Sequence, residues 1–289
     1  MLPASDLPAH NARMIGPALK RLVMSLLACA ASGAAFANEP VDVELVLAVD
    51  VSLSMSPDEL VIQRDGYAAA LTDRAVLDAI AAGAHGRIAV VYVEWAGTSM
   101  QQVVVPWSVI ATHEDAKAFV SRMTATPPRS ARRTSISAAL AFAGSLFQES
   151  GYRGMKRVID ISGDGPNNQG DKVDETRDRI AASGITINGL PLMTNSGYSS
   201  GYDITDLDSY YSDCVIAGPG AFMIPVNGWS QFPEAIRRKL VLELADAGHP
   251  LRAAMEAQMP PVILAGDGPK TDCQIGEKMW NNRGWMDIQ

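Results

Sequence analysis

Val43-Glu-Leu-Val-Leu-Ala-Val-Asp50 runs almost without a polar break into a carboxylate, and Val51-Ser52-Leu53-Ser54 follows it. An apolar run of this length, lacking polar alternation, is the pattern of a central strand covered on both faces in a parallel sheet. A carboxylate and two hydroxyls just past such a strand lie at the carboxyl edge of the sheet, where open α/β sheets place their ligand crevices. Three hard oxygen groups at alternate positions can converge on a hard divalent cation, most naturally Mg²⁺.

Such an ion takes about six oxygens and usually keeps several of them as water, so further ligands are expected from other segments. Lys156-Arg-Val-Ile-Asp-Ile-Ser162 reads as a second buried strand, and Gly163-Asp164-Gly165 follows it. Thr134 opens an alanine-rich helical stretch that runs to Phe147. Three segments thus offer oxygen ligands at the ends of elements. The plainer reading is turn and cap chemistry. Ser56-Pro57-Asp58-Glu59 illustrates it, with Ser56 as N-cap, Pro57 at the first helical position and Glu59 closing a capping box. On that reading Ser54 is only a turn residue.

The ordered set resembles the metal-ion-dependent adhesion site of von Willebrand factor type A domains. There a D-x-S-x-S loop, a threonine from a second loop and an aspartate from a third hold one Mg²⁺ or Mn²⁺. Carried over by position, the resemblance implies Asp50, Ser52, Ser54, Thr134 and Asp164 as metal ligands. It covers about residues 43–247. The third loop reads Ser-Gly-Asp-Gly where the family often has Thr-Asp-Gly, a change in the turn that keeps the carboxylate. The chain is also similar to an uncharacterised bacterial subfamily of exported type A proteins, a likeness that implies a fold and a metal and leaves the biological role open.

The remaining pattern extends the α/β reading. A helix is expected from Pro57 to about Ala82, strands over 86–95 and 101–107, a helix near His113–Met123 and another at Asp171–Ala182. Short strands follow at Ile185–Leu190 and Ala221–Val226, and a closing helix carries Phe232, Ile236, Leu240 and Leu244. This alternation predicts a doubly wound, mostly parallel sheet with helices on both faces. Two successive strands without a helix between them, 86–95 and 101–107, predict one antiparallel edge strand, and Pro106 suits an edge. Residues 38–248 form the domain on this reading. Residues 249–289, rich in Pro, Gly and Met, are an extension packed on it, and the five tryptophans pack core or tail. Gly266-Asp-Gly-Pro269 repeats Gly163-Asp-Gly-Pro166 and reads as turn chemistry.

The first 37 residues read differently. Lys20-Arg21, the apolar stretch from Leu22 and Ala35-Phe36-Ala37 form the n-region, h-region and A-x-A site of a secretory signal peptide cleaved after Ala37. The stretch is short for a membrane span. Leu26-Leu-Ala-Cys29 offers a lipoprotein box as the alternative, and translation can begin at Met1 or Met14. Export implies a periplasmic or secreted protein. Loss of Asp6, Arg13, Lys20 and Arg21 changes the net charge from −8 to −10, with 31 acidic and 21 basic residues left. Such an acidic chain is a poor match for nucleic acid, whose phosphates need basic patches. Cys29 leaves with the leader. Cys214 and Cys273 remain, which in an oxidising compartment implies one disulfide, with two buried free thiols as the alternative. The tail, having little periodicity of its own, is expected to depend on that bridge and the metal site to be independent of it.

Two enzymatic readings compete. Gly197-Tyr-Ser199-Ser-Gly201 matches the G-x-S-x-G elbow of a serine hydrolase, but its flanks lack the strand and helix that the motif needs. Asp50 could be a phosphatase nucleophile, but Ser52 stands where an acid/base aspartate is expected. The four histidines show no zinc spacing. The sequence therefore reads as an exported, non-catalytic, Mg²⁺- or Mn²⁺-dependent protein-binding module whose unknown partner offers a carboxylate to the metal.

Overall fold

A computed structural model describes residues 38–194, 204–244, 261–266 and 270–286. Strand β1 (Glu39–Asp50) is buried from Val41 to its end. Its side chains alternate between two separate cores, as a strand covered on both faces requires. Val43, Leu45, Leu47 and Val49 face one core, and Val46 and Ala48 face the other. Beside β1 run β2 (Ile88–Trp95) and β4 (Tyr152–Gly163), both parallel to it. The seven-stranded order is β3-β2-β1-β4-β5-β6-β7, with β3 (Gln101–Ile110), β5 (Thr186–Pro191), β6 (Phe222–Met223) and β7 (Ile263–Leu264).

The antiparallel edge strand expected from the sequence is β3, paired with β2. The opposite edge adds a second antiparallel pair, in which the two-residue β7 of the tail lies against β6. The first core is closed by α1 (Pro57–Leu71), α2 (Arg74–Ala81), α3 (His113–Met123) and α7 (Phe232–Leu244). The second is closed by α4 (Ile136–Leu146), α5 (Val173–Ala182) and the short α6 (Leu207–Tyr210) with the π-helical turn behind it. The tail ends in α8 (Ile275–Met286).

Three elements differ from the sequence reading. The single helix expected over 57–82 is two, because Thr72 ends α1 and the Asp73 carboxylate caps α2 by accepting from the Ala75 N–H. Aspartate competes for backbone donors in this way and favours caps over helix interiors. Ile62, apolar as it is, lies on the outer side of α1 and is 39% exposed. The strand expected over Ala221–Val226 is reduced to Phe222–Met223, although Val226 bridges Leu192. The capping box at Ser56 and Glu59 forms as read. Residues 1–37, the Gly197–Gly201 motif, the interval 245–260 and three residues of the second Gly-Asp-Gly-Pro lie outside the described residues.

Candidate metal centre

β1 and β4 end side by side, so Asp50 and Asp164 emerge from neighbouring strands at the carboxyl edge of the sheet. The loop after β1 is tied on both sides. The Val51 N–H donates to the Trp95 carbonyl at 2.8 Å, the Leu53 N–H donates to the Ala131 carbonyl at 3.0 Å, and the Ala131 N–H returns to Val51 at 3.2 Å. Gln63, on the buried side of α1, donates from Nε2 to the Asp50 carbonyl at 2.9 Å.

Within this frame the Ser52 and Ser54 hydroxyls lie 2.9 Å apart. Ser54 Oγ donates to Asp164 Oδ1 at 2.8 Å, across 110 residues of chain. That contact carries the Ser54 hydroxyl beyond its own turn to the third loop. Thr134 was expected to open a helix. The helix begins at Ile136 instead, with Ser135 as its N-cap, and this leaves Thr134 in the loop. The Thr134 N–H donates to Asn168 Oδ1 at 3.0 Å and the Asn168 N–H returns to the Thr134 carbonyl at 2.9 Å, which fastens the second loop to the third.

Ser52, Ser54, Thr134 and Asp164 line one cavity of about 480 Å³, and Asp50 lies fully buried behind them. The Ser52 N–H donates to Asp50 Oδ1 at 2.7 Å, while Asp50 Oδ2 is buried with no hydrogen-bond partner among the described residues. Two other orphaned polar atoms border this place, the Tyr211 hydroxyl and Trp95 Nε1. Both side chains and Asp50 Oδ2 crowd Gly163: a Cβ there would stand 2.9 Å from the Tyr211 hydroxyl, 3.0 Å from Asp50 Oδ2 and 3.3 Å from Trp95 Cζ2. Burial, and next the charge of Asp164, push the Asp50 carboxyl well above the usual carboxylate range, against the backbone donors of Ser52 and Asp164. Burial, and then the charges of Asp50 and Asp164, likewise push the Tyr211 phenol up.

Two carboxylates held together, one with a dry unpaired oxygen, are unfavourable unless a proton or a cation joins them. The donor set fits a divalent cation. It offers two carboxylates and three neutral hydroxyl oxygens, all hard ligands, and no thiolate or imidazole. Among the described residues no group of three or more His, Cys, Asp or Glu could hold a metal ion, and the set here has two aspartates with three hydroxyls.

The structure also brings in residues that the sequence reading did not assign. Arg132 and Arg133, just before Thr134, line the cavity. Trp280, expected to pack the tail, lines it from α8, with the Arg133 guanidinium 3.3 Å from its ring centroid. Asn167 of the third loop donates from Nδ2 to Glu277 Oε1 at 2.6 Å. The basic run before Thr134 was visible in the sequence; nothing in the tail marked Trp280 as a neighbour of the site.

The strand order gives the chain a mostly parallel α/β fold like that of von Willebrand factor type A domains, with the cavity at the carboxyl edge of its sheet. The chain belongs to the family described as "Protein of unknown function (DUF1194)", whose sequence profile matches residues 40–248. No curated protein matches it in sequence. Among solved structures it is similar to proximal thread matrix protein 1 from the mussel byssus, with a TM-score of 0.51 and 16% identity over 72% of this chain and 49% of that one. The same mussel protein with a zinc-occupied MIDAS motif gives 0.51 and 18% over 72% and 48%. The pilus adhesin SpaC from Lactobacillus rhamnosus GG, in an open conformation, gives 0.51 and 13% over 72% and 31%. At these identities the likeness is one of fold, and the matches span half or less of each neighbour's length.

Proposed function

We propose that this chain is an exported protein-binding module that works through a divalent cation, Mg²⁺ or Mn²⁺, and carries out no catalysis. The observation that carries this reading is the convergence of Ser52, Ser54, Thr134 and Asp164 on one cavity over the buried, half-unpaired Asp50. Ser52, Ser54 and Thr134 would hold the cation with neutral oxygens. Asp50 and Asp164 would supply negative charge directly or through water. The bound cation supplies Lewis acidity and an exchangeable position for a carboxylate of the partner protein. Asp50 as a phosphatase nucleophile is disfavoured by its full burial and by Ser52 at the acid/base position. The hydrolase alternative rests on Ser199, outside the described residues.

Calorimetric titration of Mg²⁺ and Mn²⁺ tests the metal. Saturable binding is expected, weakened at least tenfold in Thr134→Ala and abolished in Asp50→Asn, with circular dichroism to confirm that both variants fold. Wild-type affinity in both folded variants would defeat the proposal. Metal should also raise the unfolding temperature, because it binds only the folded state. Export follows from the signal-peptide pattern, and no helix among the described residues is long and apolar enough to cross a membrane. N-terminal sequencing of periplasmic material should begin at Asn38; an acylated Cys29 would replace this with a lipid-anchored form.

A further inference from the structure

The surroundings of the cavity carry a charge that the ligand set does not need. The chain as a whole is acidic, with a net charge of −8. Yet the stretch Thr124–Ser137 contains Arg129, Arg132 and Arg133 and no acidic residue. This loop is held rigidly. The buried Arg64 donates to the Thr126 carbonyl and to Glu94. Ala131 pairs with the first metal loop on both its N–H and its carbonyl, and the Ser135 N–H donates to the Ala96 carbonyl at 2.8 Å. Arg133 is the sole non-glycine residue with positive φ among those described, at 74°. A bulky residue held in that region marks a local constraint worth a functional question. Here the constraint lays the Arg133 guanidinium on the Trp280 ring. Arg132 beside it is exposed, lines the cavity and has no ion-pair partner among the described residues.

The charge count then points to a ligand. A divalent cation with Asp50 and Asp164 is neutral in sum, so one ligand carboxylate on the metal leaves the site negative by one. Arg132, exposed on the cavity wall, offers its positive charge to a carboxylate there. A cavity of about 480 Å³ is also far larger than a hydrated ion needs and falls in the range that takes several side chains or a small ligand.

We propose that the cavity is a two-point receptor for an acidic peptide segment of the partner, with one carboxylate on the metal, a second on Arg132, and the Arg133–Trp280 stack as the outer wall. This rests on the metal reading given above. Leu53, 57% exposed, also lines the cavity and offers the segment an apolar contact. Because the arginine loop is pinned before the ligand arrives, little ordering opposes binding.

The test is calorimetric, on the full exported chain in saturating Mg²⁺. The probes are two acetylated tetrapeptide amides, one with a single aspartate and one with aspartates at alternate positions. The two-aspartate peptide should bind about twofold to fivefold more tightly, the range of a partly exposed ion pair. Arg132→Gln should remove that preference, Arg132→Lys should keep part of it, and Trp280→Ala should weaken both peptides alike. Both Arg132 variants should bind Mg²⁺ as the wild type does. Equal affinity of the two peptides for Mg²⁺-loaded wild type overturns this inference and leaves the metal reading intact. A preference that persists unchanged in chelator supports the Arg132 contact and overturns the metal reading. Inorganic phosphate competing better than the two-aspartate peptide at equal concentration would replace the peptide with a free anion and overturn the proposal.

Discussion

Gly163 is the residue on which the close packing beneath the candidate site depends. Two buried polar oxygens and an indole edge stand within 3.3 Å of where its Cβ would be. Gly163→Ala is therefore expected to displace Asp50 or Tyr211, to cost about 1–3 kcal/mol as overpacking does, and to weaken Mg²⁺ binding. Urea unfolding followed by metal titration measures both; an unchanged midpoint together with an unchanged affinity would contradict the packing argument. At this scale legibility followed chemistry that repeats in short stretches. Asp50, Ser52 and Ser54 were readable because a buried strand places alternate residues of the next loop at one edge. Asp164 was readable because a second buried strand precedes it. Tyr211 and Trp95 were not, since an aromatic in a core carries no mark of whether its polar atom is paired. Arg132 and Arg133 were visible as charges, but their place at the cavity depends on a loop pinned by residues 34 to 80 positions away.

Among the elements, helices and strands with a regular apolar period came through, and those set by a single side-chain bond did not. The α1–α2 break hangs on the Asp73 cap. α8 escaped notice because Ile275-Gly-Glu-Lys-Met-Trp-Asn-Asn282 shows no apolar stripe; its hold on the domain comes from specific contacts. Cys273 is bonded to Cys214, 59 residues away. The Tyr210 hydroxyl accepts from the Asn167 N–H at 3.1 Å and donates to the Cys273 carbonyl at 3.3 Å. Gly276 presses so closely on the third loop that a Cβ would stand 2.1 Å from the Asn167 carbonyl oxygen. The expectation that the tail depends on its disulfide while the metal site does not is therefore revised: α8 touches both the second and the third loop. Chain-entropy reasoning gives about 4 kcal/mol for a loop of this length, with real values often lower. Reduction should first expose the segment 261–286 to protease, then lower Mg²⁺ affinity severalfold, with the sheet still folded. Limited proteolysis and metal titration of oxidised and reduced protein check the order of events. A cleaved tail with full metal affinity would restore the original expectation.

Across the whole molecule, the face of the sheet that packs on α7 holds a feature that no periodicity announces. Lys239 on α7 is fully buried, with Nζ 2.8 Å from Asp160 Oδ1 on β4 and 2.5 Å from Glu243 Oε1 one turn along its own helix. Asn188 on β5 donates to the same Glu243 oxygen at 2.9 Å. In a sequence these are ordinary surface-type residues, and the closing helix was read from Phe232, Ile236, Leu240 and Leu244 alone. One ammonium between two dry carboxyls can balance only one of them, so the other is driven to keep a proton. Burial, and then the charge of Asp160, push Glu243 up to about 7, and burial raises Asp160 in the same direction. The sign of the linkage follows. Below the ordinary glutamate value of 4.5 the folded and unfolded chains both hold the Glu243 proton. Between 4.5 and about 7 only the folded chain holds it, so the unfolded chain binds fewer protons and stability falls as pH rises. Across that window the loss is about 3.5 kcal/mol at most, taking about 1.4 kcal/mol per unit. Lys239 is raised as well, but its contribution is lost only above its ordinary value of 10.5 and does not enter this window. Glu243→Gln keeps an acceptor for Asn188 and cannot ionise. The difference in unfolding free energy between wild type and this variant, measured by urea titration from pH 4.5 to 7.5, should therefore move against the wild type as pH increases. Taking the difference cancels the raised carboxyls outside this cluster, Asp50 among them, while Asp160, which shares Lys239 with Glu243, is read together with it. Parallel curves would mean that Glu243 is ionised throughout and that Lys239 balances it alone.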